Sequence, residues 1–310
     1  MRPRKTLLSY LILFACTLVI ISCSGTTNST PIVFVGSTPG DKLIKSQLTI
    51  PSDKEVDFIR WNLILSETTS NQNTFSLKIA FGVSQPNTLG FKMEEKLAFN
   101  GTYTIAPSKN KILDGVIYHL KSNSLPSEIM MVKLNENILH LLTPQHGLMI
   151  GNGGWSYTLN RKELIMDNAA VAPALTSAST LLSDTTRQVI YDGRTPCQDY
   201  ATEHQLKVTS SCFKLKWRLI LNRNPITHEP TTYTIRKVVD NVPRDVSGNW
   251  AIIKGIDENP DVIIYQLDPE YPENSICFLA GDENVLFFLD KNFRLHAGNG
   301  DFSYTLNKRP

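Results

Sequence analysis

The chain is predicted to be all-β, with two small antiparallel barrel or sandwich domains in tandem, and three observations predict this. First, the run Gly151-Asn152-Gly153-Gly154-Trp155-Ser156-Tyr157-Thr158-Leu159-Asn160-Arg161 returns as Gly298-Asn299-Gly300-Asp301-Phe302-Ser303-Tyr304-Thr305-Leu306-Asn307-Lys308. The offset of 147 holds back through Leu142/Leu289, Leu139/Leu286, Asn137/Asn284 and Ile129/Ile276 to Tyr118/Tyr265. A repeat that long is a whole domain rather than a solenoid unit. Second, the apolar period inside each copy is two, the period of a half-buried strand. Third, the apolar runs are short and punctuated by Asn, Gly, Asp and Pro, as in meandering all-β folds.

The first copy spans 32–162. Phe75-Ser76-Leu77-Lys78-Ile79-Ala80-Phe81-Gly82-Val83 alternates large apolar with small or polar residues. Strand-like runs follow at Tyr103 to Ile105, Val116 to Leu120, Ile129 to Leu134 and Ile138 to Leu142. The second copy spans 189–310. There Lys214-Leu215-Lys216-Trp217-Arg218-Leu219-Ile220-Leu221 alternates with charges outward, and further runs cover 232–239, 250–254, 262–267, 276–279, 285–289 and 302–306. Asp290-Lys291-Asn292 and Thr143-Pro144-Gln145-His146-Gly147 occupy equivalent turns with different chemistry, so the copies have diverged. The two Gly-Asn-Gly motifs, at 151–153 and 298–300, are expected to be positive-φ turns leading into the final strand. Between the copies, 163–188 is rich in Ala, Ser and Thr around Pro173 and reads as a linker that permits domain motion, with an Ala-rich part that could instead pack on a barrel mouth. Each copy has its own strands and aromatic residues, so each is expected to fold alone.

The leading segment sets the address. Met1-Arg2-Pro3-Arg4-Lys5 is basic, and the apolar run from Leu7 to Ile21 is shorter than the roughly 20 residues that span a bilayer. Ile20-Ile21-Ser22-Cys23 resembles a lipobox, which implies removal of residues 1–22 as a lipoprotein signal peptide and acylation of Cys23. Residues 23–31 then form a small polar tether, and Ser24 rather than Asp at the second mature position favours the outer membrane by resemblance to the enterobacterial sorting rule. The protein is thus expected to be an outer membrane lipoprotein, at the periplasmic face or cell surface, with the membrane as a partner through its lipid anchor. The charge balance, Lys+Arg 31 against Asp+Glu 29, carries no basic stripe and points away from nucleic acid. A hydrophobic content of 41% excludes disorder.

Residues of the second copy carry a family resemblance. Tyr191-Asp192-Gly193-Arg194-Thr195-Pro196-Cys197-Gln198-Asp199, Trp217 to Leu221, Thr231-Thr232-Tyr233, Gly248-Asn249-Trp250, Val285 to Asp290 and the closing Ser303-Tyr304-Thr305-Leu306 resemble the N-terminal domain of the NlpE envelope lipoproteins. In the first copy Gly36-Ser37-Thr38-Pro39 echoes Gly193-Arg194-Thr195-Pro196. The resemblance implies two tandem lipocalin-like β-barrels and a role in copper resistance, adhesion or envelope-stress sensing. It departs where that family has Cys-x-x-Cys: here Cys197 is followed by Gln198, Asp199 and Tyr200, so the second thiol is a phenol. A single thiolate is a poor soft-metal site, and copper binding is not carried over.

Cys212 lies fifteen residues beyond Cys197, and in an oxidising compartment the two are expected to form a disulfide, free thiols being the alternative. Cys277, between Ile276 and Phe278, reads as a buried small hydrophobe. His119, His140 and His146, with Met130, Met131 and Met149, are the available soft-metal candidates; at the 147 offset the histidines become Gln266, Phe287 and Phe293, so the set is private to one copy, and solvent-facing or hydrogen-bonded histidines are the plainer reading. Asp257-Glu258 and the carboxylates from Glu270 to Glu273 read as solvated turns, and Ser210-Ser211 has no nucleophile-elbow context. No cofactor and no enzymatic activity are expected. Two function classes remain: an envelope protein whose barrels bind a small ligand or a partner, in sensing or metal tolerance, and a scaffolding lipoprotein whose barrels are filled by Trp61, Phe75, Trp217 and their neighbours.

Overall fold

In the computed structural model the described residues are 30–67, 73–107, 115–165, 186–256 and 259–309. Cys23, most of the 163–188 segment, and Asp257-Glu258 lie outside them. No helix among the described residues is long and apolar enough to cross a membrane. Two closed antiparallel barrels of eight strands each follow one another in the chain. The first is built from β1 (Ile32–Pro39), β2 (Phe58–Ser66), β3 (Thr74–Gly82), β4 (Glu95–Pro107), β5 (Val116–Lys121), β6 (Ile129–Asn135), β7 (Ile138–Leu141) and β8 (Thr158–Arg161). The second contains β9 (Gln188–Pro196), β10 (Lys214–Arg223), β11 (Pro230–Val239), β12 (Val242–Ile256), β13 (Asn259–Leu267), β14 (Cys277–Ala280), β15 (Val285–Leu289) and β16 (Thr305–Lys308). Each barrel is an up-and-down meander closed by its first and last strands, so neither leaves an open edge.

The alternation places Trp61, Leu63, Leu77, Ile79 and Phe99 inside the first barrel and Tyr191, Trp217, Leu219, Tyr265 and Phe288 inside the second. Both interiors are occupied by large side chains, one of the two outcomes available to an eight-stranded barrel. The echoed Thr-Pro ends of β1 and β9 each secure a buried indole. Trp61 Nε1 donates to Thr38 Oγ1 at 2.8 Å, and Trp217 Nε1 donates to Thr195 Oγ1 at 2.9 Å. Each echo is followed by a short helix that strand patterning does not reveal. α1 (Lys42–Gln47) is capped by Asp41, whose Oδ1 accepts from the Ile44 amide and whose Oδ2 accepts from the Tyr157 hydroxyl. α2 (Cys197–Glu203) has no side-chain cap and is held instead by the Cys197–Cys212 disulfide, with Cα atoms 5.7 Å apart.

The outer faces of β5–β7 and β13–β15 are also apolar, and they cover each other. Ile117, Met130, Val132 and Ile138 from the first barrel join Ile264, Cys277, Leu279 and Phe287 from the second in one cluster of fifteen buried residues. These are the same strands of the repeat, so the seam is self-complementary, as across a twofold axis. Residues 147 apart in sequence touch: Ser156 Oγ lies 2.5 Å from Ser303 Oγ, Thr158 Oγ1 lies 3.0 Å from Thr305 Oγ1, and the His140 ring meets Phe287 edge-on at 5.4 Å. The Gly151 amide donates to Asn307 Oδ1 and, reciprocally, the Gly298 amide donates to Asn160 Oδ1, both at 2.7 Å. Against the expected domain motion, a buried seam of this kind holds the barrels together, since each fully buried side chain of Leu, Ile, Val or Phe size is worth about 1.5–3 kcal/mol.

The seam also corrects the reading of the Gly-Asn-Gly motifs. Among the described residues only Gly82 and Gly255 are positive-φ glycines, so neither motif is a positive-φ turn. Glycine is needed for close approach. A Cβ at Gly151 would lie 2.3 Å from the Trp155 carbonyl oxygen and 2.9 Å from Asn307 Nδ2, and one at Gly298 would lie 2.2 Å from the Phe302 carbonyl oxygen. The intervening asparagines hold the turns, Asn152 Oδ1 accepting from the Gly154 and Trp155 amides and Asn299 Oδ1 from those of Asp301 and Phe302. The motif therefore recurs because it builds both halves of the seam.

Candidate functional site

The odd-numbered strands of the second barrel run in one direction, so the segments following β9, β13 and β15 gather at one end. There they enclose a cavity of about 310 Å³. Its apolar lining is made by Ile276, Phe288 and Leu289, together with the Tyr200 ring; its polar lining comes from Glu203 and His204 after β9, Glu273 after β13, and Asp290, Lys291 and His296 after β15. Tyr200 forms one wall, stacked on His204 at 4.0 Å and edge-on to Trp217 at 5.1 Å. The disulfide anchors the start of α2 and so positions Tyr200, Glu203 and His204 over the cavity.

Burial dominates the electrostatics. It lowers the pKa of His204, with neighbouring Lys237, His296 and Lys291 adding to the effect against Glu203, and it lowers that of His296. Both imidazoles are thus neutral at pH 7, able to donate through one nitrogen and accept through the other. The same desolvation raises the Glu203 carboxyl from its ordinary value. Glu203 Oε2 lies 3.5 Å from His296 Nε2, and His296 packs on Tyr304 at 4.8 Å. Among the described residues lining the cavity, three carboxylates, Glu203, Glu273 and Asp290, face a single ammonium, that of Lys291. The first barrel has no matching lining: at the 147 offset His296 becomes Met149, Asp290 becomes Thr143 and Lys291 becomes Pro144. Sequence patterning missed this site because its residues sit on three loops far apart in the chain, although Glu273 falls in an expected turn.

The histidine and methionine candidates of the first barrel do not converge. His140 is fully buried in the seam, with Nδ1 2.9 Å from Thr158 Oγ1 and Nε2 3.0 Å from the Met149 carbonyl oxygen, and desolvation pushes its pKa down to about 4. His119 lies beside Glu128 at 3.5 Å, with the His146 ring 6.5 Å away. Met130 belongs to the seam, whereas Met131 and Met149 point into the first barrel. Among the described residues no group of three or more His, Cys, Asp or Glu side chains is placed to hold a metal ion. Cys277 is buried in the seam, its thiol pushed up to about 11 by desolvation, and is unreactive as thiolate at neutral pH. No family model, curated protein or solved structure matches the chain.

Proposed function

We propose that this protein is a non-enzymatic lipoprotein of the bacterial envelope, anchored through acylated Cys23 at the outer membrane, whose second barrel captures a small amine-bearing ligand in the cavity under α2. The observation that carries the reading is the cavity itself: about 310 Å³, at the lower end of the range of ligand pockets, with three carboxylates against one ammonium beside an apolar lining. An ammonium group would offset the desolvation that raises Glu203, and the neutral imidazoles of His204 and His296 would orient it by hydrogen bonds. The first barrel, with its filled interior and no counterpart lining, acts in this reading as a scaffold. The resemblance of the second copy to the NlpE pattern would connect such capture with envelope sensing or metal tolerance.

Titration of the full chain with hexylammonium, followed by calorimetry and amide chemical shifts, tests this. Saturable binding with shifts at 200–205 and 288–296 is expected. Glu203→Gln should weaken it about tenfold, the range of one hydrogen bond to a charged group. Binding unchanged by Glu203→Gln would sink the assignment. A complete lack of saturable binding would leave the filled interiors of both barrels to support the scaffolding reading alone.

A further inference from the structure

A second cavity, of about 150 Å³, opens where the two barrels meet, and its lining differs in charge from that under α2. Phe58 and Lys214 both line it, and so do Trp155 and Phe302. Phe58 pairs with Pro39 at the end of β1 as Lys214 pairs with Pro196 at the end of β9, and Trp155 and Phe302 are 147 apart. Two pairs of equivalent residues therefore share one cavity, which places it across the pseudo-twofold relation of the copies. Divergence has charged it: where the first copy has Ser37, Phe58 and Gly154, the second has Arg194, Lys214 and Asp301.

The charges around it do not cancel. Arg60 and Asp301 pair at 2.7 Å, and Arg60 also donates to the Leu89 carbonyl oxygen at 2.6 Å, so that ion pair satisfies itself. Arg194 lies over the Trp155 ring at 5.2 Å, but its Nε is buried with no hydrogen-bond partner, and no carboxylate among the described residues bridges it. Lys214 Nζ sits over Phe213 at 4.8 Å, likewise without a carboxylate among the described residues. Desolvation, with Arg194 and Lys216 nearby, brings the Lys214 ammonium down to about 8. Two desolvated cations beside each other and an unsatisfied guanidinium nitrogen are costly unless an anion joins them.

We infer that this cleft between the barrels is a binding site for a phosphate monoester, held by Arg194 and Lys214. The net charge of two left by the cations matches the −1.5 to −2 of a phosphomonoester near pH 7. At about 150 Å³ the cavity is large enough for a compact oxyanion and lies below the roughly 300 Å³ at which pockets for drug-sized ligands begin. Asn87 and Lys214 also border an open depression of about 450 Å³ containing Lys216, which accommodates the group esterified to the phosphate. This site is separate from the cavity of the second barrel and does not depend on ligand capture there.

The test uses glycerol 3-phosphate titrated into the full chain at low ionic strength, and flotation of the Cys23→Ser chain with phosphatidic acid vesicles so that no acyl anchor contributes. Saturable binding of either probe is expected, weakened about tenfold by Lys214→Gln and by Arg194→Gln, and left intact by Lys254→Gln on an exposed strand position. If Arg194→Gln fails to fold, Lys214→Gln decides alone, with recovery in Lys214→Arg. Capture of glycerol 3-phosphate identifies a soluble ester as the source, and capture of vesicles alone identifies a lipid headgroup. Absence of saturable binding of both probes, or binding indifferent to Lys214→Gln, overturns the inference.

Discussion

Lowering the pH from 7.5 to 4.5 should loosen the seam through one residue, His140. Its imidazole is fully buried between Thr158, the Met149 carbonyl and Phe287, and its pKa falls from 6.5 to about 4 because burial disfavours the charged ring. A folded pKa below the unfolded one means that the unfolded chain binds the proton more readily. The stabilisation is therefore complete above pH 6.5, declines as the pH falls below it, and is lost by about pH 4. Integrated from 7.5 to 4.5, this amounts to about 2.5 kcal/mol of lost stability from this residue.

Other groups contribute with both signs: His204 and His296 are also lowered, whereas Asp282 is raised to about 6 by burial and gains stability as the pH falls through that value. The informative quantity is thus a difference. Urea denaturation of the wild type and of His140→Gln at both pH values should show the wild type losing about 2.5 kcal/mol more than the variant. Equal losses in the two proteins, or an imidazole that titrates near 6.5 by NMR in the folded chain, would refute the reasoning.

A fragment of residues 186–310 exposes Cys277, Leu279 and Phe287, and because the seam is self-complementary it should associate into a twofold dimer through that patch; sedimentation should show the dimer, and Leu279→Asp should return it to monomer. Replacing both Cys197 and Cys212 by Ala should lower stability by about 3 kcal/mol in the loop-entropy estimate for a fifteen-residue separation, and a chain of unaltered stability in urea would contradict this. Cys23→Ser should release the protein from membranes in fractionation, and normal membrane association of that variant would remove the anchor from the proposal.

Strand content, the duplication and the disulfide partners are legible because each is written in the order of residues along the chain: alternation in Phe75 to Phe81 and Lys214 to Leu221, a constant offset, and two cysteines fifteen residues apart. The packing of the copies is less so. Ile138-Leu139-His140-Leu141 and Val285-Leu286-Phe287-Phe288-Leu289 break the alternation and are buried throughout, the pattern of strands covered on both faces. Those runs carried the trace of the seam, but a strand buried twice does not name what covers it. The glycines of the repeated motif depart from the turn expectation for a related reason, since a glycine admitting a neighbouring segment looks the same in sequence as one in a positive-φ turn. The cavity under α2 was illegible because Glu203, Glu273 and Asp290 become neighbours only when the barrel closes.

The claim on which the arrangement rests is that equivalent residues of the two copies face each other across a fixed seam, and a cross-link measures it. Ser156 Oγ and Ser303 Oγ are 2.5 Å apart and buried. In Ser156→Cys/Ser303→Cys, peptide mapping after mild air oxidation should find a 156–303 disulfide within a monomeric chain, independent of protein concentration. Two thiols that stay free in the native protein, or that join only between chains, would contradict the seam.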